Sequence, residues 1–174
     1  MDHQDFLVTV YNDQGEPISS KKRRDINKQQ DIIECVEVMV ITSNDEVVLS
    51  LILNNQDNVY PGKFGAAVAT IRREQESELE AAKRALKDEM FIEEAVPIFL
   101  GRSFFRGDLN LKKWLTVFVL QTDVDITKFN VNRTGRLVVK SFAEIKEKME
   151  SPNDLAGTFK EIWNLYYDQL LISK

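Results

Sequence analysis

The segment from Thr70 to Ile92, TIRREQESELEAAKRALKDEMFI, decides how this chain folds. From Ser77 onward its apolar residues recur at helical spacing, which predicts an amphipathic helix. The stripe predicted to face the core contains Leu79, Ala82, Leu86 and Met90. A neighbouring stripe passes through Ala85 and ends in the adjacent carboxylates Asp88 and Glu89. Paired carboxylates that face a cleft are hard oxygen ligands for Mg²⁺ or Mn²⁺, usually together with phosphate oxygens.

The same segment resembles the Nudix box, whose pattern is G-x5-E-x7-R-E-U-x-E-E-x-G-U, with U an aliphatic residue. An alignment without gaps matches this pattern at Glu76, Arg84, Leu86, Asp88, Glu89 and Ile92. The resemblance implies that Glu76 and Arg84 orient the box. It also implies that Asp88 and Glu89 bind Mg²⁺ or Mn²⁺, and that Glu89 is catalytic if the protein is active.

Three fixed positions of the box are changed. Thr70 replaces the first glycine, Ala85 replaces the glutamate after the arginine, and Phe91 replaces the second glycine. Alanine can neither bind a metal ion nor activate water. Glu78 lies on the same helix face as Ala85, but about two turns away, roughly 10 Å by helical rise, which is too far for it to replace Ala85 as a ligand of the same ion. The resemblance therefore implies common ancestry with weak or lost hydrolysis, and a metal cofactor is expected only if activity remains.

Composition and charge limit the alternatives. The chain has 174 residues, of which 43% are hydrophobic and 29% charged, as in an ordinary globular domain. The net charge of −5 argues against a general nucleic-acid binder. No apolar run approaches roughly 18 residues, so no membrane span is predicted. The single cysteine, Cys35, suits a cytoplasmic location, and the only histidine, His3, disfavours a zinc site or a His-based triad.

A single domain, residues 1–174, is predicted, with an N-terminal hairpin and basic linker at 1–30 and a core at 31–174. Phe6 to Tyr11 alternates like a strand, and NDQG at 12–15 is typical of a hairpin turn. The basic stretch from Lys21 to Arg24 is open to two interpretations. It is either a solvated connector, or one or two of its cations contact a ligand's phosphates over the cleft.

The rest of the chain predicts strands and two C-terminal helices. The strands are expected at Glu34–Thr42, Val47–Leu53, Pro97–Phe105, Lys112–Thr122 and Arg136–Lys140. Ser141 and Glu144 form a capping box for one helix, and the closing helix has an apolar face of Phe159, Ile162, Trp163, Tyr166 and Leu170. This order is that of the Nudix α/β/α sandwich, an α/β (α+β) fold with a mixed central sheet, here with an N-terminal hairpin extension.

The segment Tyr60–Phe64, YPGKF, resembles the entry to the site in the isopentenyl-diphosphate-isomerase-like branch of Nudix proteins. The hairpin, the basic linker and the closing SPNDLAGTFKEIW resemble that branch too. Lys63 is therefore a candidate ligand-binding residue. The isomerase activity itself is rejected, because Cys35 lies too early in the chain to match its cysteine and His3 alone cannot supply its metal-binding histidines.

Many family members carry an E-x-x-E pair before the penultimate strand, and the matching positions here are close to Arg133 and Arg136. Two interpretations remain. Either these cations lie near the acidic pair of the box, where they form ion pairs and compete with a divalent ion, or they face water. Asp57 and Asp108 are additional candidates for distal metal ligands.

Two functional hypotheses follow. In the first, the protein has the Nudix fold and a degraded hydrolase site, and its cleft or surface binds a nucleotide, a diphosphate small molecule or a partner. In the second, it is an active hydrolase of a diphosphate linkage, with Mg²⁺ or Mn²⁺ held by Asp88 and Glu89. A homodimer is expected by analogy with many relatives.

Overall fold

The computed structural model describes residues 5–54, 59–107, 110–123 and 136–172. Within these ranges the strands are β1 (Leu7–Tyr11), β2 (Pro17–Lys22), β3 (Ile33–Ile41), β4 (Glu46–Leu51), β5 (Phe64–Ala66), β6 (Val68–Ile71), β7 (Ile98–Arg106), β8 (Lys112–Gln121) and β9 (Leu137–Ser141). The α-helices are α1 (Glu78–Met90), α2 (Phe142–Glu150) and α3 (Gly157–Ile172). No helix in the described ranges is both long and apolar enough to span a membrane.

Strand β3 lies at the centre of a mixed sheet. It pairs in parallel with β8 and antiparallel with β6 and β4. The sheet extends through β7 beyond β8, and through β5 and β9 beyond β4. Strands β1 and β2 form a separate antiparallel hairpin. The mixed sheet and the N-terminal hairpin were both predicted.

The two faces of the sheet are covered by different helices. Because side chains alternate along a strand, Val36, Val38 and Val40 of β3 pack with α1, while Met39 and Ile41 pack with α2 and α3. The closing helix buries its predicted face, namely Phe159, Ile162, Trp163, Tyr166 and Leu170. The Ser141–Glu144 capping box of α2 is also present. The result is the predicted α/β/α sandwich.

Helix α1 begins at a capping box formed by Ser77 and Glu80. Its buried residues are Ala81, Ala82, Ala85, Leu86 and Met90. The prediction that Leu79 faces the core was wrong, since this side chain is 42% exposed. The buried face instead includes Ala81 and Ala85, whose small side chains let the helix approach the sheet closely. With this face against the sheet, Leu79 lies toward solvent.

Helix α1 ends at Phe91, whose backbone is left-handed, with φ 52° and ψ 25°. The backbone N–H of Phe91 donates to the carbonyls of Leu86 and Lys87. This conformation costs a residue with a Cβ atom roughly 1–2 kcal/mol, and glycine adopts it freely. The Nudix pattern has glycine at this position. The ring of Phe91 is 59% exposed, so its burial offsets little of the strain.

The basic segment before β3 is only partly a connector. Lys21 and Lys22 belong to β2, where they pair with Val8 and Leu7 of β1. The ammonium of Lys21 lies 2.6 Å from the buried carboxylate of Asp31. A short 3₁₀ turn from Arg23 to Asp25 follows. The first half of the stretch is therefore part of a strand and not a connector, although Lys22 is exposed to solvent.

A buried carboxylate joins the hairpin to the core. Glu34 of β3 is 1% exposed and accepts hydrogen bonds from Arg72 Nε (2.7 Å), Arg102 Nε (2.9 Å) and Thr116 Oγ1 (2.6 Å). The Tyr11 hydroxyl lies 3.3 Å from the same carboxylate and is also contacted by Arg72. One side chain thus connects the hairpin, β3, β7, β8 and the segment that leads from β6 into α1.

The charge of Glu34 is maintained by these partners. Burial alone raises the pKa of this carboxyl, but the hydrogen bond from Thr116 and the charges of Arg72 and Arg102 outweigh burial and hold the pKa below its ordinary value. Removing one member of such a buried network leaves the others without compensation, which destabilises a protein far more than the loss of an exposed ion pair.

We predict that Glu34→Gln lowers the free energy of unfolding by about 3 kcal/mol, because two half-buried guanidinium groups lose their shared counter-charge. Urea denaturation at pH 7 measures this value. Glu94→Gln removes the same charge at an exposed position and is the matched control, expected to change stability by less than about 0.5 kcal/mol. Equal stability of the two variants would contradict the assigned role of Glu34.

We predict that Phe91→Gly stabilises the protein by about 0.5–1 kcal/mol, since relief of the left-handed strain exceeds the added entropy of the unfolded chain. Phe91→Ala is the control, because it also removes the ring but keeps the Cβ atom that causes the strain. Thermal melts of the three proteins provide the comparison. A glycine variant no more stable than the alanine variant would show that α1 ends without strain.

Candidate functional site

Arg84 fixes helix α1 against the strand that precedes it. Its Nε and Nη2 atoms donate to the two carboxylate oxygens of Glu76 at 2.6 and 2.8 Å. The guanidinium also donates to Thr70 Oγ1 and to the carbonyl of Ile71, each at 3.2 Å. Thr70 occupies the first glycine position of the Nudix pattern, and here its hydroxyl is an acceptor for this arginine. Arg84 therefore determines which side of α1 meets the end of β6.

Glu76 is ionised in this arrangement. Burial alone raises the pKa of its carboxyl, but hydrogen bonds from Arg84 and from the backbone of Arg73 hold the pKa below its ordinary value. Hydrogen bonds to Glu76 in turn raise the pKa of Arg84 despite its partial burial. The negative charges of Asp88 and Glu89 add to this effect on Arg84, so the acidic pair of α1 lies within the electrostatic range of an arginine.

The acidic pair borders a cleft of about 370 Å³, which we call the outer cleft. The outer cleft is lined by Phe6, Arg23, Ala69, Thr70, Ile71, Arg73, Arg84, Ala85, Asp88 and Glu89. Side chains of the hairpin region, of β6 and of α1 thus meet at this point. Asp88 is exposed and Glu89 half-buried. Of the described residues in this lining, three are arginines and two are acids, and one of the arginines, Arg84, is paired with Glu76.

Ala85 presents only a methyl group to the outer cleft and is 1% exposed. It lies one turn before Asp88 and Glu89, so a glutamate at this position would bring a third carboxylate to the same side of α1. No three acidic, histidine or cysteine side chains gather into a metal-binding group in the described part of the chain. The residues present thus fit a firmly bound divalent ion poorly.

Arg73 lines the outer cleft and contacts Phe6, which precedes β1. Its guanidinium carbon is 5.0 Å from the ring centre of Phe6. The Nε atom of Arg73 is buried and has no hydrogen-bond partner among the described residues. A buried donor without a partner costs about 1–3 kcal/mol.

A second cavity, of about 280 Å³, adjoins the outer cleft, and we call it the inner cavity. The two share Arg23, Ala69, Thr70 and Ile71. The remaining lining of the inner cavity consists of Lys28, Asp31, Ile33, Cys35, Glu37, Ile52, Val59, Tyr60, Leu111, Lys112, Lys113 and Thr158. Arg23, a cation of the basic segment, lies at the boundary of the two spaces. A ligand that spans both spaces would pass this arginine.

The other candidate residues from the sequence are more scattered. Lys63 is half-buried, with its ammonium 6.0 Å from the ring centre of Tyr60. Arg136 is exposed, and its backbone carbonyl accepts from Leu51 at 2.8 Å. Neither side chain lines the outer cleft or the inner cavity as described. Asp57, Asp108 and Arg133 lie outside the described residues.

Sequence reasoning missed the buried carboxylates of β3. Glu34 and Glu37 are 1% and 3% exposed, and they lie on opposite faces of the strand. The signal was present, since each interrupts the otherwise apolar stretch ECVEVMVIT. A charged residue in a fully buried strand must have partners. The contribution of Arg73 gave no comparable signal, because it depends on the position of the hairpin.

No protein-family model matches the sequence, and no curated protein matches it significantly. Solved structures do match. DR0079 from Deinococcus radiodurans has a TM-score of 0.74 at 15% sequence identity, covering 90% of this chain and 96% of that chain. The MutT protein from Methanosarcina mazei Go1 has a TM-score of 0.64 at 19% identity, with coverages of 82% and 96%.

A mutT/nudix family protein from Listeria innocua is similar as well, with a TM-score of 0.58 at 15% identity, covering 80% of this chain and 97% of that chain. These matches extend over nearly the full length of each solved structure. They agree with the mixed α/β architecture and the mixed central sheet described above. The predicted Nudix-type α/β/α sandwich is therefore confirmed, and this chain has the Nudix fold.

Proposed function

We propose that the outer cleft binds the phosphate groups of a nucleotide or another diphosphate small molecule, and that hydrolysis by this site is weak or lost. The observation that carries the proposal is the methyl group of Ala85 in the cleft wall, at the position where the Nudix pattern has a glutamate. An alanine cannot hold a metal ion or accept a proton from water. Loss of such a group costs roughly a hundredfold to ten-thousandfold in rate.

The arginines of the outer cleft support the binding half of the proposal. Arg23, Arg73 and Arg84 come from three separate segments and border the same space. Guanidinium groups match phosphate oxygens in geometry and charge, and they remain charged at any physiological pH. Arg84 is already paired with Glu76. Arg73 lines the outer cleft as well, and its guanidinium adds a positive charge to that space.

The alternative is an active hydrolase in which Asp88 and Glu89 hold Mg²⁺ or Mn²⁺. Both residues line the outer cleft, which favours this possibility. Magnesium is often held by one or two carboxylates together with substrate phosphates and water. When bound, the ion would neutralise charge on the phosphates and lower the pKa of a bound water. The neighbouring arginines compete for the same phosphates and for the same two carboxylates.

We extend the proposal to the location, the ligand class and the oligomeric state of the protein. The free thiol of Cys35 supports a reducing, cytoplasmic location. The net charge of −5 supports a small-molecule ligand over a nucleic acid. A homodimer remains a proposal by analogy with many Nudix proteins. The YPGKF segment keeps the isopentenyl-diphosphate-isomerase-like branch as the proposed position within the Nudix fold.

We predict that the wild type hydrolyses dinucleoside and sugar-nucleotide diphosphates well below about 1 s⁻¹. We further predict that Ala85→Glu binds Mn²⁺ about tenfold or more tightly than the wild type, because a third carboxylate joins the acidic pair. Product release over a substrate panel measures the first quantity, and calorimetric titration with Mn²⁺ measures the second.

Asn164→Glu is the matched control, since it adds a glutamate at an exposed position of α3. It should leave both quantities unchanged. Wild-type turnover at ordinary enzymatic rates would overturn the proposal and establish the hydrolase alternative. Failure of the wild type to bind inorganic pyrophosphate in metal-free buffer would overturn the binding half.

A further inference from the structure

The inner cavity contains a buried carboxylate that the proposed phosphate site does not use. Glu37 of β3 is 3% exposed and lines this cavity. It lies on the α3 face of the sheet, opposite the face on which Glu34 is bound by its arginines. A carboxylate has about four acceptor positions. The Thr158 hydroxyl donates to Glu37, and the charge of Lys113 lies close to it.

Lys113 of the neighbouring strand β8 also lines the inner cavity. Strands β3 and β8 are parallel, with Ile33 paired to Lys113 and Glu37 paired to Val117. Lys113 contacts the thiol of Cys35, which lies on the same face as Glu37. The inner cavity therefore contains a cationic donor, Lys113, close to an acceptor, Glu37. Burial raises the pKa of Glu37 above its ordinary value, while Lys113 and Thr158 act in the opposite direction.

The walls of the inner cavity suit a flat ring. Much of the lining is apolar, with the aliphatic side chains Ile33, Ile52, Val59, Ile71 and Leu111 and the ring of Tyr60. A volume of about 280 Å³ lies just below the usual range for ligand pockets, which is roughly 300–1,000 Å³. The cavity thus has room for one ring system, while the phosphates of the same ligand would lie beyond Arg23 in the outer cleft.

We propose that Glu37 and Lys113 select a guanine base in the inner cavity, with Glu37 accepting from its N1–H and N2–H groups and Lys113 donating to its O6. The guanine edge offers one acceptor followed by two adjacent donors, which complements an ammonium beside a carboxylate. Adenine offers a donor followed by an acceptor, and hypoxanthine lacks the second donor. This inference rests on the proposed function, because it assigns the base of the ligand whose phosphates occupy the outer cleft.

The complementarity also has an energetic basis. A ligand that enters the inner cavity displaces water from the carboxylate of Glu37, and a ligand with two N–H groups replaces the donors that this water supplied. A site built in this way discriminates strongly against an analogue that lacks one donor, because its own polar group is then left unpaired. The preference should therefore depend on the carboxylate of Glu37 and not merely on the shape of the cavity.

Calorimetric titration of the full chain with GDP, IDP, ADP and inorganic pyrophosphate, in metal-free buffer, tests this assignment. The three nucleotides carry the same diphosphate, so differences among them report on the base alone. GDP is expected to bind about tenfold or more tightly than IDP or ADP. Glu37→Gln should remove this preference while pyrophosphate affinity changes by less than about twofold. Glu94→Gln, which removes a charge at an exposed position, should keep the preference.

Equal affinities of the wild type for the three nucleotides would overturn the assignment, whatever the variant does. An unchanged GDP preference in Glu37→Gln would overturn it too. In either case, retained pyrophosphate binding would leave the proposed function of the outer cleft intact. If the wild type does not bind pyrophosphate at all, both the proposed function and this inference are contradicted.

Discussion

The bidentate ion pair between Arg84 and Glu76 is the interaction on which the site depends. It ties α1 to the loop before it, and the remaining donors of Arg84 reach Thr70 and Ile71 at the end of β6. Charge-assisted bidentate contacts fix orientation as well as distance. With α1 held in this rotation, the stripe that begins at Ala85 faces the outer cleft. The pair orients a site regardless of whether that site still carries out hydrolysis, so its presence indicates a preserved framework and not a preserved reaction.

The two glutamates of β3 illustrate how one strand can serve stability and binding separately. Successive side chains of a strand point to opposite faces, and the odd spacing between Glu34 and Glu37 places them on different sides of the sheet. Glu34 is saturated by Arg72, Arg102 and Thr116, and so joins the hairpin to the core. Glu37 lines a cavity, where Thr158 donates to it and the charge of Lys113 lies close by. A buried carboxylate that is bound by several protein donors, such as Glu34, stabilises the fold. A buried carboxylate that lines a cavity, such as Glu37, can still interact with a ligand.

Much of the architecture could be predicted from local patterns, because helical and strand periods, capping boxes and turns are encoded by neighbouring residues. The closing helix and the Ser141 cap were predicted for this reason. Leu79 was misplaced because helical periodicity does not specify how closely a face approaches its sheet, and the small residues Ala81 and Ala85 change that approach. The position of Arg73 could not be predicted, and the sequence left open which cation of the Lys21–Arg24 stretch lies at the cleft, since both depend on where the hairpin lies relative to α1. That position is set by long-range contacts of Glu34 and Tyr11.

The central claim is that the outer cleft is lined by arginines and contains too few carboxylates to hold a divalent ion firmly. Anomalous diffraction from crystals of the wild type soaked in millimolar Mn²⁺ tests this claim most directly, because it locates the ion and counts its ligands. The account predicts no fully ligated manganese at Asp88 and Glu89. A well-ordered ion held by both carboxylates, at the distances of about 2.0–2.6 Å typical of hard cations and oxygen ligands, would contradict it.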